Sequence, residues 1–252
     1  MREERITSRQ NPLLRHVKKL LTSRSYRQQC GEYAGDGTKL LEEALRWDAG
    51  VKTIVAAENV ALPPVPNMVR VARVPKDVME SVSQMQTPQG AIFLCDLPQP
   101  EPLHLTGSCL ILDGIQDPGN VGTILRTADA MEVPVVLAEG CADPYSPKTV
   151  RATMGAIFRT RPQMAGREEI AAACRAAEIP LIATALSERS VDIRTLPLER
   201  AAVVIGSEGR GVSPELLALS QQQAIIPMNP RCESLNAAVA ATIVLWQMRG
   251  MR

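Results

Sequence analysis

The sequence predicts an α/β protein of two domains, of which the larger contains a parallel sheet. After residue 105, short apolar runs alternate with helical segments, the order that produces a parallel sheet covered on both faces. Before residue 97 the pattern indicates a smaller α/β domain. Between them, LPQPEPLHL has three prolines in alternation, at 98, 100 and 102, which prevent a helix and favour extended chain. We therefore expect domains at 1–96 and 106–252, joined by a linker at 97–105.

Apolar spacing predicts the elements of the smaller domain. Leucine and valine recur at helical spacing over 11–23, and further helices are expected at 38–47 and 76–84. Short apolar runs predict strands at 52–56, 68–71 and 91–94.

The larger domain is predicted in the same way. Its expected strands are 109–112, 133–137, 180–184, 202–205 and 224–226, and its expected helices are 120–130, 167–177, 214–219 and 234–248. Three loops, 113–130, 205–213 and 226–238, follow strands and lead towards helices. Because ligands of open α/β sheets bind beyond the carboxyl ends of the strands, these loops are where a site is expected.

Composition excludes several classes of protein. No apolar run reaches the roughly 18 residues of a membrane span, and the charged start MREERITSRQ is unlike a secretory signal. The chain has only two histidines, and its six cysteines are scattered singly. We expect reduced thiols, a cytoplasmic protein, no membrane partner, and neither a metal site nor a disulfide framework.

Charge is distributed unevenly along the chain. Residues 1–30 carry a net charge of +6, and the remainder carries −5. A basic segment on a near-neutral body suits a polyanionic partner, although a solvated helix surface would show the same pattern. Aromatic residues make up only 3% of the chain, which argues against an extended platform for stacking bases.

Common nucleotide motifs are missing from the sequence, but the three loops together are distinctive. The first contains Asn120 and Arg126 behind an Asp-Pro-Gly, and the second contains Gly206, Glu208 and Gly209. The third runs from Ile-Pro-Met at 226–228 to Ser-Leu-Asn at 234–236. In this order they resemble the three motifs of the SpoU (TrmH) family of SPOUT methyltransferases, over residues 109–249.

The resemblance implies a deep trefoil knot, a homodimer, and S-adenosylmethionine as the cofactor for methylating a ribose 2′-hydroxyl of RNA. The residues that it assigns to the cofactor are Gly206, Ile226 and Leu235. Thr184 and Ala185, at the end of a predicted strand, are expected to form another wall of the cofactor site. The residues that it assigns to catalysis are Arg126, Asn120, Glu208, Ser234 and Asn236.

Several of these residues have ordinary structural interpretations. Ile226 and Leu235 could be plain core residues, Asn120 a turn or helix cap, Glu208 a surface charge, and Ser234 the N-cap of the last helix. Glycine at 206 is expected because a backbone-lined pocket requires close approach of the cofactor. Arg126 is proposed in the family as the base. Since arginine stays protonated, holding a phosphate and orienting the ribose suits its chemistry better.

The flanking segments resemble a subgroup that includes the thiostrepton-resistance-type rRNA methyltransferases. The linking stretch CADPYSPKTVRATMGAIFR at 141–159 resembles this subgroup, and SRQNPLLRHVKKL and GTKLLEEAL resemble its RNA-recognition domain, which is similar to a ribosomal protein. Asp36 departs from the commoner glutamate. RNA contacts are expected from Arg9, Arg15, Lys18, Lys19, Lys148 and Arg151. Ribosomal RNA is the expected substrate, with tRNA, or an inactive RNA- or ribosome-binding module, as alternatives.

Overall fold

The computed structural model describes residues 3–85, 87–229, 231 and 234–250. The chain forms two compact units. The first unit comprises Met1–Gln99 and Tyr145–Arg159, and the second comprises Pro100–Pro144 and Thr160–Arg252. The segment Tyr145–Arg159 therefore lies with the first unit, although the sequence predicts it within the larger domain.

Among the described residues there are twelve strands, ten α-helices and one 3-10 helix. Those up to residue 113 are β1 (Glu3–Arg5), α1 (Pro12–Thr22), α2 (Arg24–Cys30), β2 (Glu32–Asp36), α3 (Thr38–Arg46), β3 (Val51–Ala57), β4 (Arg70–Val74), α4 (Lys76–Val82), β5 (Ala91–Asp96) and β6 (Cys109–Asp113). The others are α5 (Pro118–Ala130), β7 (Val135–Leu137), α6 (Pro147–Ala152), α7 (Ala156–Arg159), β8 (Gln163–Met164), α8 (Arg167–Ala176), β9 (Leu181–Thr184), β10 (Val191–Asp192), the 3-10 helix (Ile193–Thr195), β11 (Ala202–Gly206), α9 (Pro214–Leu219), β12 (Gln222–Ile225) and α10 (Ala237–Arg249).

The first unit is built on a mixed five-stranded sheet in the order β1-β4-β3-β5-β2. Strand β5 runs antiparallel to both of its neighbours, β3 and β2. Helices α1 and α4 pack on one face through side chains such as Leu14 and Val78. The other face is covered by α3 and by Tyr145, Val150 and Phe158 of the segment 145–159. These buried apolar contacts are why that segment belongs to the first unit.

The second unit contains a seven-stranded sheet in the order β10-β12-β9-β11-β6-β7-β8, and every pair is parallel. Helices α5 and α10 bury apolar residues against one face, and α8 and α9 against the other. The prediction of a parallel sheet covered on both faces is confirmed. A smaller α/β unit on the amino-terminal side is confirmed as well.

Candidate active site

A cavity of about 540 Å³ lies at the carboxyl ends of three neighbouring strands, β9, β11 and β12. Its walls come from 184–186, 205–212, 224–228 and 234–240, although not every residue of these ranges contributes. The cavity is therefore built by the second and third predicted loops together with the end of β9. This is the edge of a parallel sheet at which ligands bind.

Gly206 ends β11 and begins the tight turn of the second loop. Ser207 and Gly211 exchange backbone hydrogen bonds of 3.0 and 2.9 Å across this turn. A Cβ at position 206 would lie 2.0 Å from the carbonyl carbon of Gly211 and 2.1 Å from the nitrogen of Val212. The sequence predicts glycine here because the cofactor must approach closely. The structure adds a second reason, because the turn itself leaves no room for a side chain at position 206.

Three side chains, one from each motif, form a polar cluster. Asn120 donates from Nδ2 to Oε1 of Glu208, and its Oδ1 accepts from Nδ2 of Asn236 at 3.2 Å. Glu208 also lines the cavity. The cluster therefore connects the first and third loops to the cavity wall.

The start of α10 differs from the prediction. The helix begins at Ala237, and Oδ1 of Asn236 accepts from the backbone N–H groups of Ala238 at 2.9 Å and Val239 at 3.3 Å. The N-cap is therefore Asn236 and not Ser234, which lines the cavity instead. Likewise, Asp117 caps α5 by accepting from the backbone N–H of Asn120 at 2.9 Å, which leaves the Asn120 side chain for the cluster.

Asp113, which was not among the predicted site residues, holds the end of the second loop in place through its carboxylate. It is only 2% exposed, and its Oδ2 accepts from the backbone N–H of Ser213 at 2.7 Å. Its Oδ1 accepts from Nε of Arg167 at 2.9 Å. Burial is the largest single influence on the pKa of Arg167 and lowers it. The hydrogen bond to Asp113, together with the negative charges of Asp113, Glu139 and Glu215, outweighs burial, so the net shift of the pKa is upward. A charged residue ending the apolar strand CLILD was the available signal.

The predicted cofactor residues meet at the cavity. Thr184, Ala185, Gly206, Ile226 and Leu235 all line it. The hydroxyl of Thr184 donates to the carbonyl oxygen of Val204 at 2.8 Å, so its hydrogen is used by the neighbouring strand.

Arg126 is the one predicted catalytic residue that the fold does not bring to the others. It lies exposed on α5 and does not line the cavity of its own chain. Six residues along a helix place it about 120° around the axis from Asn120. Within the described part of the chain, its guanidinium has no hydrogen-bond partner.

All six residues predicted to bind RNA lie in the first unit. Arg15, Lys19, Lys148 and Arg151 are exposed, and Lys18 is half-buried. Arg9 forms an exposed ion pair with Asp77 at 2.7 Å.

One charge of the basic segment is not at the surface. Arg27 is buried, and its Nη1 donates to the carbonyl oxygen of Leu20 at 2.6 Å. It therefore helps to hold α1 and α2 together and does not add to the basic surface.

The five described cysteines are free thiols, and Cys232 lies outside the described residues. Burial raises the pKa of Cys95 and Cys109 to about 12 and that of Cys141 and Cys174 to about 11. In the described ranges, no group of three or more His, Cys, Asp or Glu is arranged to hold a metal ion. No described helix has the length and apolarity needed to cross a bilayer.

A parallel sheet with a loop-built cavity at its strand ends defines an α/β protein that binds a ligand at the carboxyl edge. The chain belongs to the SpoU rRNA Methylase family, which it matches over residues 107–246. Residues 11–92 match the MRM3-like substrate binding domain. The first match covers the loops of the site, and the second lies within the first unit.

Relatives are similar along almost the whole chain. The 23S rRNA (guanosine(2553)-2′-O)-methyltransferase RlmP of Bacillus subtilis is 31% identical, over 98% of this chain and 100% of its own. The 23S rRNA (uridine(2479)-2′-O)-methyltransferase of Streptomyces viridochromogenes is 27% identical, over 96% and 91%. The AdoMet-bound rRNA methyltransferase from Sinorhizobium meliloti superposes with a TM-score of 0.87 at 31% identity, over 98% and 97%.

Proposed function

We propose that this protein transfers a methyl group from S-adenosylmethionine to a ribose 2′-hydroxyl of 23S-type ribosomal RNA in the cytoplasm. The observation that carries the proposal is the Asn120–Glu208–Asn236 cluster, which joins all three family motifs beside the cavity. The named activities of the relatives support the reaction and favour ribosomal RNA over tRNA. An inactive binding module would have no need of this cluster.

The residues of the cavity fit the cofactor. Its volume lies within the range of small-molecule sites, and Ile226 and Leu235 supply apolar walls. The carboxylate of Glu208 lines the cavity, and a negative charge there suits a ligand that carries sulfonium and ammonium cations. When bound, S-adenosylmethionine supplies an electrophilic methyl group. The five predicted cofactor residues would hold it largely through backbone groups and apolar contact.

Because the cofactor supplies the reactive methyl group, the role of the side chains is to position the ribose 2′-hydroxyl. Orienting a nucleophile can supply much of the acceleration of a transfer reaction. Arg126 remains charged, so its proposed role is to bind a phosphate of the RNA and orient the ribose oxygen. Its exposure and its lack of a hydrogen-bond partner among the described residues leave the guanidinium available for that contact.

We also propose a homodimer that completes the site. Val239, Ile243 and Trp246 form an apolar stripe along α10 at spacings of four and three residues, and they are 49%, 38% and 64% exposed. An exposed apolar stripe of this kind suits a protein interface. Because Arg126 lies away from the cavity of its own chain, a second copy could supply the guanidinium. The trefoil knot implied by the resemblance stays a prediction.

Two measurements test this function. Calorimetric titration with S-adenosylmethionine should show one binding site per chain. Methyl transfer from labelled cofactor should then be compared on 23S rRNA and tRNA transcripts. We expect label in the 23S transcript at a 2′-oxygen. Cofactor binding without transfer to either RNA would favour the inactive module, and label in tRNA alone would reject the ribosomal substrate.

A further inference from the structure

The chain has two tryptophans, and the one in the first unit lies on an open surface. Trp47 follows the last residue of α3 and is 48% exposed. The guanidinium carbon of Arg159 lies 5.6 Å from the centre of its indole ring. A half-exposed indole beside a guanidinium is a flat surface that combines π-stacking with positive charge.

The position of Arg159 is fixed by a second contact. Its Nη1 donates to Oε2 of Glu43 at 2.8 Å, and Oε1 of the same carboxylate accepts from Arg46 at 3.2 Å. The backbone before Arg159 lies close to this pair, since a Cβ at Gly155 would be 2.9 Å from Cβ of Glu43. The guanidinium is therefore held beside Trp47 before any ligand arrives.

The segment that supplies Arg159 is cationic. The segment 145–159 carries Lys148, Arg151 and Arg159 and contains no carboxylate, so its net charge is +3, whereas the whole chain carries +1. Lys148 and Arg151 are exposed at a spacing of three residues on α6. An RNA whose phosphates contact these cations would therefore have its bases close to the first unit, which also contains Trp47.

We propose that Trp47 and Arg159 form a stacking platform for one unpaired nucleobase of the RNA substrate. The inference rests on the proposed function for its ligand. Proteins recognise unpaired bases by stacking them on aromatic rings and arginine planes. The scarcity of aromatic residues argues against a platform for several bases and is compatible with a platform for one.

A protein partner is the competing occupant of this surface. The core of a protein interface, where tryptophan hot spots lie, is depleted of charged residues. Here the charged side chains Arg46, Glu43 and the exposed Asp48 flank the indole and its guanidinium, and the segment 145–159, which supplies the guanidinium, carries only cations. The charge therefore favours a polyanion that also carries π-systems, which describes single-stranded RNA.

The two tryptophans allow a direct test by fluorescence in the full-length protein. In Trp246→Phe, Trp47 is the only indole, and in Trp47→Phe, Trp246 is the only one. Each variant is titrated with a 12-nucleotide oligoadenylate and, separately, with heparin, a polyanion without bases. We expect the oligonucleotide to quench Trp47 and not Trp246, and heparin to quench neither.

Affinity measurements supply a second readout. Trp47→Ala should bind the oligonucleotide about 5-fold to 100-fold more weakly, whereas Trp47→Phe should stay close to wild type. The slope of log affinity against log salt should not change, because no phosphate contact is removed. Cofactor affinity and the methyl-transfer rate at saturating RNA should be unchanged in Trp47→Ala.

Three results would overturn the platform: failure of the wild type to bind the oligonucleotide, binding without quenching of Trp47, or wild-type affinity in Trp47→Ala. Loss of self-association in Trp47→Ala with unchanged RNA affinity would assign the surface to a protein contact. Failure of the proposed function would look different, because the wild type itself would transfer no methyl group to RNA.

Discussion

The two units use polar side chains in contrasting ways. In the second unit, the buried Asp113 holds the backbone of Ser213, and the Asn120 cluster joins three loops. In the first unit, ion pairs such as Arg9–Asp77 are exposed, and the buried Asp36 has one carboxylate oxygen without a partner among the described groups. In these examples, the second unit uses polar side chains to fix the geometry of the cavity, whereas the charged pair of the first unit is open to solvent.

The largest effect is expected where geometry is tightest, at Gly206. Gly206→Val should reduce cofactor affinity at least about 100-fold, or about 2.8 kcal/mol. Since its Cβ would overlap the backbone of Gly211, the melting temperature should also fall by about 5 °C or more. Calorimetry and thermal unfolding measure both. Gly107→Ala, where a Cβ meets open space, is the control. Normal cofactor binding by the valine variant would contradict the conclusion that the turn leaves no room for a side chain at position 206.

Arg126 tests whether a side chain outside the polar cluster can still control the reaction. Arg126→Ala should lower the rate of methyl transfer on the order of 100-fold while cofactor affinity is kept, because an unaligned ribose oxygen reacts slowly. Single-turnover rates are the measurement. Near-wild-type turnover would show that Arg126 is not catalytic.

Arg126→Lys distinguishes the two roles of that arginine. An orienting cation predicts that lysine retains part of the activity, with the same pH profile as wild type. A base predicts that the lysine variant gains activity as pH rises, since lysine can lose its proton and arginine cannot.

A smaller effect is expected at Asp113. Asp113→Asn places an amide donor opposite either Ser213 or Arg167, which should reduce stability by about 2 kcal/mol and cofactor affinity roughly 10-fold. Denaturant unfolding and calorimetry are the assays. The matched control is Glu132→Gln, which breaks the exposed pair with Arg249 and should change stability by less than about 1 kcal/mol. If the two variants lost the same amount of stability, the proposed difference between buried and exposed carboxylates would be wrong.

The smallest effect, and one of opposite sign, is expected at Asp36. Burial raises its pKa, although the hydrogen bond from Ser83 and the charge of Arg151 oppose the shift. A raised carboxyl pKa contributes stability at acid pH that is lost as pH rises through the folded-state value. Asp36→Asn should therefore stabilise the protein at pH 7, and the gain should vanish on acidification.

Asp77 provides the control with the reverse sign. The hydrogen bond from Arg9 lowers its pKa, so its contribution is present at neutral pH and is lost as pH falls. Asp77→Asn should slightly destabilise the protein at pH 7. Thermal unfolding from pH 3 to 8 measures both variants. A change in stability of the same sign at pH 7 in both would contradict the opposite pKa shifts of Asp36 and Asp77.

Regular elements could be predicted from the sequence because their apolar residues follow one period. Helix α1, predicted at 11–23, is observed at Pro12–Thr22, and α9 was predicted with the observed bounds. Strand β1, Glu3–Arg5, was missed because all three of its residues are exposed and charged, and it is held by parallel pairing to β4. Periodicity carries no signal for such a strand.

Most residues of the site could be predicted from the sequence, but the hydrogen bonds between them could not. Thr184 and Ala185, predicted from the end of a strand, and Ile226 and Leu235, predicted from the third motif, all line one cavity. The motifs could not show that Asn236 both caps α10 and bonds to Asn120, since that depends on two loops far apart in sequence. The segment 145–159 was misplaced for the same reason, because its partners in the first unit lie about 50 to 120 residues away.

The cavity has a consequence for how the protein is made. Its walls extend from Thr184 to Ala240, and its polar cluster closes only when Asn236 reaches Asn120 across 116 positions of the chain. Domains fold as units while the ribosome delivers the chain from its amino end. We therefore expect the cofactor to bind only after the chain has been made as far as Ala240.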